Sequence, residues 1–255
     1  MKLYTFNKHV KWRVDSKDIL ICDCKRLIDL KISKDFENSM KKFDRGIFKE
    51  ELTKKEALFC SDFERLNLLT TLSLRQITTK DFSRAMKILE NEFKTGRVRS
   101  NNFLFQKFKR CPKFFIGAFL DNELIGVICG FPRENYLLMS ELAIDSRFQK
   151  RKIGRRLVKS FENVSKGYKE IRAGAEDSAI GFYYKCGYSP FLLVQYPKNL
   201  YKKEDFSEFK LVENKFIGGE EALSFKVTRA DLSLLNDLRQ RFTKAYSQYI
   251  FTKKL

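Results

Sequence analysis

Between residues 71 and 200 the hydrophobic residues switch repeatedly between a period of two and a period near 3.6, and this alternation limits the fold more than any other feature. Residues 72–77 read as a strand. Thr79 is placed to cap a helix whose apolar face is Phe82, Met86, Leu89 and Phe93, with Gly96 as its stop. Apolar runs at 114–120 and 124–131 flank Asp121-Asn122, a hairpin signal. Residues 136–144 form another strand. Ile153, Leu157, Phe161 and Val164 mark one face of a helix. A strand at 171–175, a short helix at 179–185 and a strand at 191–196 complete the series. Strands interleaved with helices predict a mixed α/β domain.

The flanks read differently. In residues 1–70, Val10, Trp12 and Val14 alternate, a polar turn at 15–18 follows, and Ile19-Leu20-Ile21 returns as the second arm of a hairpin. Residues 26–32 supply a third strand. Ser33 can cap a helix carrying Phe36, Met40 and Phe43, ended by Gly46. Thr53 and Glu56 have capping-box spacing before Ala57, Phe59 and Phe63. This order of elements suggests a small winged-helix-like module and loosely resembles the PqqD-like peptide-binding fold. In residues 201–255, Leu223, Phe225 and Val227 alternate. Thr228 and Asp231 can cap a helix bearing Leu234, Leu235, Leu238, Phe242 and Ala245, and residues 247–252 return as a strand. This β-α-β tail either extends the central sheet or forms a lobe of its own. The expected division is therefore 1–70, 71–200 and 201–255.

Composition narrows the class. With 43% hydrophobic residues in 255 the chain can bury a core. No run approaches the roughly 18 apolar residues of a membrane span. Met1-Lys2-Leu3-Tyr4 lacks a signal-peptide core, so a soluble, cytoplasmic chain is expected. Six scattered cysteines are not a disulfide framework. Cys22-Asp23-Cys24 is the only close pair and His9 the only histidine, so no metal site is expected; the pair reads as two thiols on opposite faces of a strand. The net charge of +19 favours polyanionic partners such as nucleic acid, an acidic membrane surface or a phosphorylated ligand. Lys and Arg spread along the chain without a long block also fit a surface that uses lysine on every solvated face.

The chemistry concentrates in Glu141-Leu-Ala-Ile-Asp-Ser-Arg-Phe-Gln-Lys-Arg-Lys-Ile-Gly154-Arg-Arg-Leu157. A strand ends near Ile144, a short polar connection follows, and a helix begins near Ile153. A helix start presents unpaired N–H groups and the positive end of a dipole, an arrangement suited to a pyrophosphate. Gly154 lets backbone approach the phosphates, and Lys150, Arg151, Lys152, Arg155 and Arg156 raise the local potential. An ordinary basic helix start would carry the same residues.

Gln149-Lys-Arg-Lys-Ile-Gly154 resembles the acetyl-CoA signature of the GNAT acetyltransferases, Gln/Arg-x-x-Gly-x-Gly/Ala, at its first and last positions. Lys152 stands where that family has glycine. Ala179-Ile-Gly-Phe-Tyr183-Tyr-Lys-Cys-Gly187-Tyr188 resembles the family's Ala-x-x-Phe-Tyr-x-x-x-Gly-Phe helix and turn. The resemblance implies a largely antiparallel central sheet flanked by helices. It implies that main-chain groups of Leu142, Ala143 and Ile144 hold the pantetheine arm, and that amides of Lys150, Arg151, Lys152, Ile153, Gly154 and Arg155 hold the pyrophosphate. It implies Tyr183 as the acid for the departing thiolate, and a backbone N–H of Leu142 or Ile144 for the oxyanion. Glu176 departs from the asparagine usual at its position. Glu141 is the first candidate for the base, on the opposite strand face from Leu142, although a solvent-facing strand glutamate would look the same. A nucleophilic Cys186 would need His9 to fold across to it.

The motifs span residues 137–190, and the surrounding element order extends the likeness to 72–200. The implied function is N-acetyl transfer from acetyl-CoA, the acyl donor, to a primary amine by direct attack. The amine could belong to a protein lysine, a protein N-terminus or a small molecule, with the N-terminal module presenting it. Two other readings stand beside it: a non-catalytic acyl-CoA sensor that binds nucleic acid, and an RNA-dependent aminoacyl or acyl transferase.

Overall fold

The computed structural model describes residues 3–7, 9–66, 68–93 and 99–255. The expected helix stop at Gly96 lies outside them. The chain gathers into two compact units. One comprises Met1–Gln106, Phe115–Val127 and Ala143–Leu157; the other comprises Lys107–Phe114, Ile128–Leu142 and Val158–Leu255.

The first unit begins with β1 (Leu3–Phe6) and a three-stranded antiparallel sheet of β2 (Val10–Asp15), β3 (Asp18–Asp23) and β4 (Ile28–Ser33). Strict alternation along β3 turns Ile19 and Ile21 inward. They meet α1 (Glu37–Arg45), β5 (Ile47–Phe48) and α2 (Lys54–Arg65) around a core that includes Phe6, Met40, Phe43 and Phe63. Phe6 lies 5.9 Å from Phe43 and 5.8 Å from Phe63, centroid to centroid. Thr53 and Glu56 close the expected capping box: Glu56 N donates to Thr53 Oγ1 at 3.2 Å, and Thr53 N to Glu56 Oε2 at 2.9 Å. Cys22 and Cys24 bring their sulfurs within 3.9 Å, on one side of the chain. Residues two apart share a strand face, so the expectation of opposite faces was wrong. His9 Nε2 lies 3.5 Å from Asp23.

β1 pairs antiparallel with both β5 and β6 (Leu69–Gln76), and β6 pairs with β7 (Phe115–Leu120). β8 (Glu123–Pro132) follows a turn in which Asp121 (φ 48°) and Asn122 (φ 64°) are both left-handed, as a tight hairpin requires. α3 (Thr79–Glu92) is capped one residue earlier than expected: Asp81 accepts from Thr78 N and Oγ1, both at 2.8 Å. α4 (Asn101–Arg110) was not anticipated.

β9 (Leu137–Ile144) and α5 (Ile153–Val164) each begin in one unit and end in the other along the chain. The rest of the second unit is β10 (Glu170–Gly174), α6 (Ile180–Lys185), β11 (Ser189–Pro197), β12 (Lys210–Ile217), β13 (Glu220–Lys226), α7 (Leu232–Arg241) and β14 (Tyr246–Lys254). Its strand order is β9-β10-β14-β11-β13-β12. β9–β10 is parallel; β10–β14, β14–β11, β11–β13 and β13–β12 are antiparallel. The sheet is therefore largely antiparallel, as expected. The C-terminal tail extends it, since β14 inserts between β10 and β11 and buries Tyr249 and Phe251. Among the described residues no helix is long and apolar enough to cross a membrane.

Candidate active site

The turn that follows β9 is braced from several sides. Asp145 N donates to Ile125 O at 2.9 Å, and the Asp145 carboxylate caps a short 3-10 turn, Ser146–Phe148, by accepting from Arg147 N at 3.1 Å. The Arg147 guanidinium returns to Asp145 Oδ2 at 2.7 Å and reaches Glu123 at 3.4 Å. The hydrogen bond from Arg147 holds the Asp145 carboxyl below the usual carboxylate range, against partial burial. Glu92, at the end of α3, accepts from Ser146 N at 2.9 Å and from Gln149 Nε2 at 2.8 Å. Gln149 Nε2 also donates to Ile144 O at 3.0 Å. The Gln149 side chain thus locks the loop, and Glu92 is a positioning residue that no sequence signal marked.

After Gln149 the backbone turns left-handed twice, at Lys150 (φ 62°) and Lys152 (φ 59°). An L-residue pays roughly 1–2 kcal/mol for such a conformation. Lys152 therefore replaces the family's glycine in sequence but keeps a glycine-like backbone. Its Nζ lies 2.9 Å from Glu51, and Arg151 Nη1 donates to Thr5 Oγ1 at 3.4 Å. Gly154 sits inside the first turn of α5. Ile153 is buried at 3% exposure, so only its main chain can meet a ligand. The first α5 amide with a protein acceptor is that of Arg156, which donates to Lys152 O at 3.4 Å. Among the described residues no protein acceptor takes the amides of Ile153, Gly154 or Arg155. These amides, with the cationic side chain of Arg155, suit a pyrophosphate.

In the second unit, β9 pairs with β10 only over Leu137–Met139, opposite Ile171–Ala173. Beyond Met139, β9 continues through Ser140, Glu141 and Leu142 without that partner. Burial alternates along β9, with Leu137, Met139, Glu141 and Ala143 inward and Leu142 and Ile144 on the other face. Glu141 is 7% exposed, so it is not a solvent-facing strand glutamate. Ser140 Oγ donates to its Oε1 at 3.1 Å.

Tyr183 rises from α6 and stacks on Phe251, with centroids 5.2 Å apart and planes 21° apart. Among the described residues no hydrogen bond engages its hydroxyl. Burial pushes this phenol upward, and the charges of Cys186, Glu141 and Glu176 add to the shift. Glu141 and Tyr183 are thus electrostatic neighbours, while Glu176 is exposed at the 3-10 turn before α6. Gly187, at φ 79°, ends the helix, and Tyr188 N donates back to Tyr183 O at 3.1 Å. Lys253 fixes the turn from β14, donating to Cys186 O at 3.0 Å and to the buried Glu162 at 2.9 Å.

The "Acetyltransferase (GNAT) family" model matches residues 73–188, which contain both motifs. This chain carries a GNAT acetyltransferase domain. The match makes the chain an acyltransferase. No curated protein matches it. Solved structures similar to this chain include Ard1 from Thermoplasma volcanium, at 16% identity and TM-score 0.44, covering 62% of this chain and 99% of that one. Diaminobutyrate acetyltransferase EctA from Paenibacillus lautus is 13% identical with TM-score 0.44, covering 64% and 98%. Naa50 from Arabidopsis thaliana is 17% identical with TM-score 0.41, covering 61% and 98%.

Proposed function

We propose that this chain moves the acetyl group of acetyl-CoA to a primary amine by direct attack. The observation that supports it most is the start of α5, where unpaired amides follow a turn held left-handed at two lysines. That strain persists where glycine would have relieved it, and a phosphate-binding backbone is the reason the reading supplies.

Acetyl-CoA, when bound, provides an activated acyl carbon and a thiolate leaving group. Main-chain groups of Leu142, Ala143 and Ile144, on the stretch of β9 running on past its pairing with β10, would hold the pantetheine arm. The amides of Lys150, Arg151, Lys152, Ile153, Gly154 and Arg155 would hold the pyrophosphate. Glu141 takes the proton that an ammonium must lose, directly or through a water. The N–H of Leu142 or Ile144 serves the oxyanion. As the C–N bond forms and the C–S bond breaks, Tyr183 would serve the departing sulfur. Burial pushes its phenol upward from 10.0, so the phenol keeps its proton near neutral pH. Tyr183 works by donating a hydrogen bond to the developing thiolate, and the proton released at nitrogen leaves through Glu141.

Residues 71–200 would then be the transferase, 201–255 its C-terminal extension, and 1–70 a module that helps select the acceptor. The test is thiol release from acetyl-CoA in the presence of polyamines, amino acids and lysine-containing peptides. Amine-dependent release that falls in Glu141→Gln supports the reading. Release with no amine of the set, from a protein that binds acetyl-CoA, overturns amine transfer.

A further inference from the structure

Residues 150–152 have a second side. A cleft of about 390 Å³ is lined there by Lys42, Arg45 and Gly46 at the end of α1, by Ile47 and Glu51, and by Lys150, Arg151 and Lys152. Five cationic side chains face one carboxylate. Three of the cations are engaged: Lys42 with Glu56 at 2.7 Å, Lys152 with Glu51 at 2.9 Å, and Arg151 with Thr5 at 3.4 Å. Arg45 and Lys150 are exposed, and among the described residues no ion pair engages either. The cleft therefore holds an uncommitted guanidinium and an uncommitted ammonium against the same three residues that lead into the unpaired amides of α5.

We propose that this cleft is a phosphomonoester site in which Arg45 and Lys150 hold the 3′-phosphate on the ribose of coenzyme A, so that the N-terminal module completes the donor site. The inference rests on the donor-binding reading of the turn. A pyrophosphate on the α5 amides leaves one further phosphate on the same ligand. That group is a near-dianion with three acceptor oxygens, and a planar guanidinium can meet two of them at once. Glu51 would repel it but is already paired with Lys152. Gly46, left-handed at φ 85°, ends α1 immediately after Arg45 and keeps the backbone beside the cleft free of a side chain.

The test is calorimetric titration of the full chain with coenzyme A and with 3′-dephospho-coenzyme A. The wild type should bind coenzyme A tighter by on the order of tenfold, the scale of one good charged hydrogen-bonding contact. Arg45→Ala should lose that factor for coenzyme A and leave the dephospho compound unchanged. Equal wild-type affinity for the two ligands, or equal weakening of both in Arg45→Ala, overturns the phosphomonoester site and leaves the turn assignment standing. Failure of both ligands to bind the folded wild type overturns the donor reading and this proposal with it.

Discussion

Lys152 Nζ meets Glu51 Oε1 at 2.9 Å across 101 residues of sequence, and the lysine that makes this contact holds its backbone at φ 59°. One residue thus does two things that a glycine there could not do together: it turns the chain left-handed, and it anchors the turn to the segment between α1 and α2.

The two roles separate on substitution. Both partners are about half exposed, so the ion pair contributes roughly 0–1 kcal/mol. Lys152→Gly loses that pair and gains a residue at ease with positive φ, offset by a more flexible unfolded chain. Its stability should stay within about 1 kcal/mol of wild type. Lys152→Val keeps the strain and adds β-branching, and should lose about 2 kcal/mol or more. Thermal unfolding of the pair decides: equal losses would remove backbone conformation as the governing factor.

Asp145 predicts a pH effect on stability. Its carboxyl is held below the usual range by Arg147, so its contribution is full above the unfolded carboxyl value and is lost as pH falls through the depressed one. Arg147 is 62% exposed, which discounts the pair to about 1 kcal/mol. Asp145→Asn should be less stable than wild type by that amount at pH about 7, with the gap closing below pH about 4. Denaturant titrations at several pH values test this; a gap independent of pH would assign the loss to packing.

Tyr183→Phe should lower kcat by about 10- to 100-fold with coenzyme A affinity nearly unchanged. Because burial raises this phenol from 10.0, the wild-type pH–rate profile should show no descending limb from Tyr183 below that value. An unchanged kcat would leave Tyr183 with only its stacking role against Phe251.

Glu141→Gln should reduce kcat/KM by about 100-fold or more and remove the acidic limb of the pH–rate profile, since glutamine cannot accept the ammonium proton. Retention of that limb would place the base elsewhere.

Much of the domain was legible because long periodic segments declare themselves. The helix face Ile153–Leu157–Phe161 and the Asp121-Asn122 hairpin lie where their patterns put them. Contacts distant in sequence were not legible. Glu92 braces Gln149 across 57 residues, and nothing in the spacing of either residue marks the other. β1 offers four residues, too few alternations to read as a strand, yet it joins β5 to β6. The tail left two outcomes open; β14 resolved them by inserting between β10 and β11, because its buried Tyr249 and Phe251 complete the face of a sheet whose partners lie far back in the chain. At the site, the signature showed a missing glycine at Lys152 but could not show that the backbone keeps the glycine conformation there and at Lys150.

The central claim is that the start of α5 binds the phosphates of acetyl-CoA, and calorimetric titration of wild type and Gly154→Glu with acetyl-CoA tests it most directly. The account predicts saturable binding at one site by the wild type and its loss in the variant, where a carboxylate would stand against the phosphates. Absence of binding by the folded wild type, or full affinity in Gly154→Glu, would contradict it.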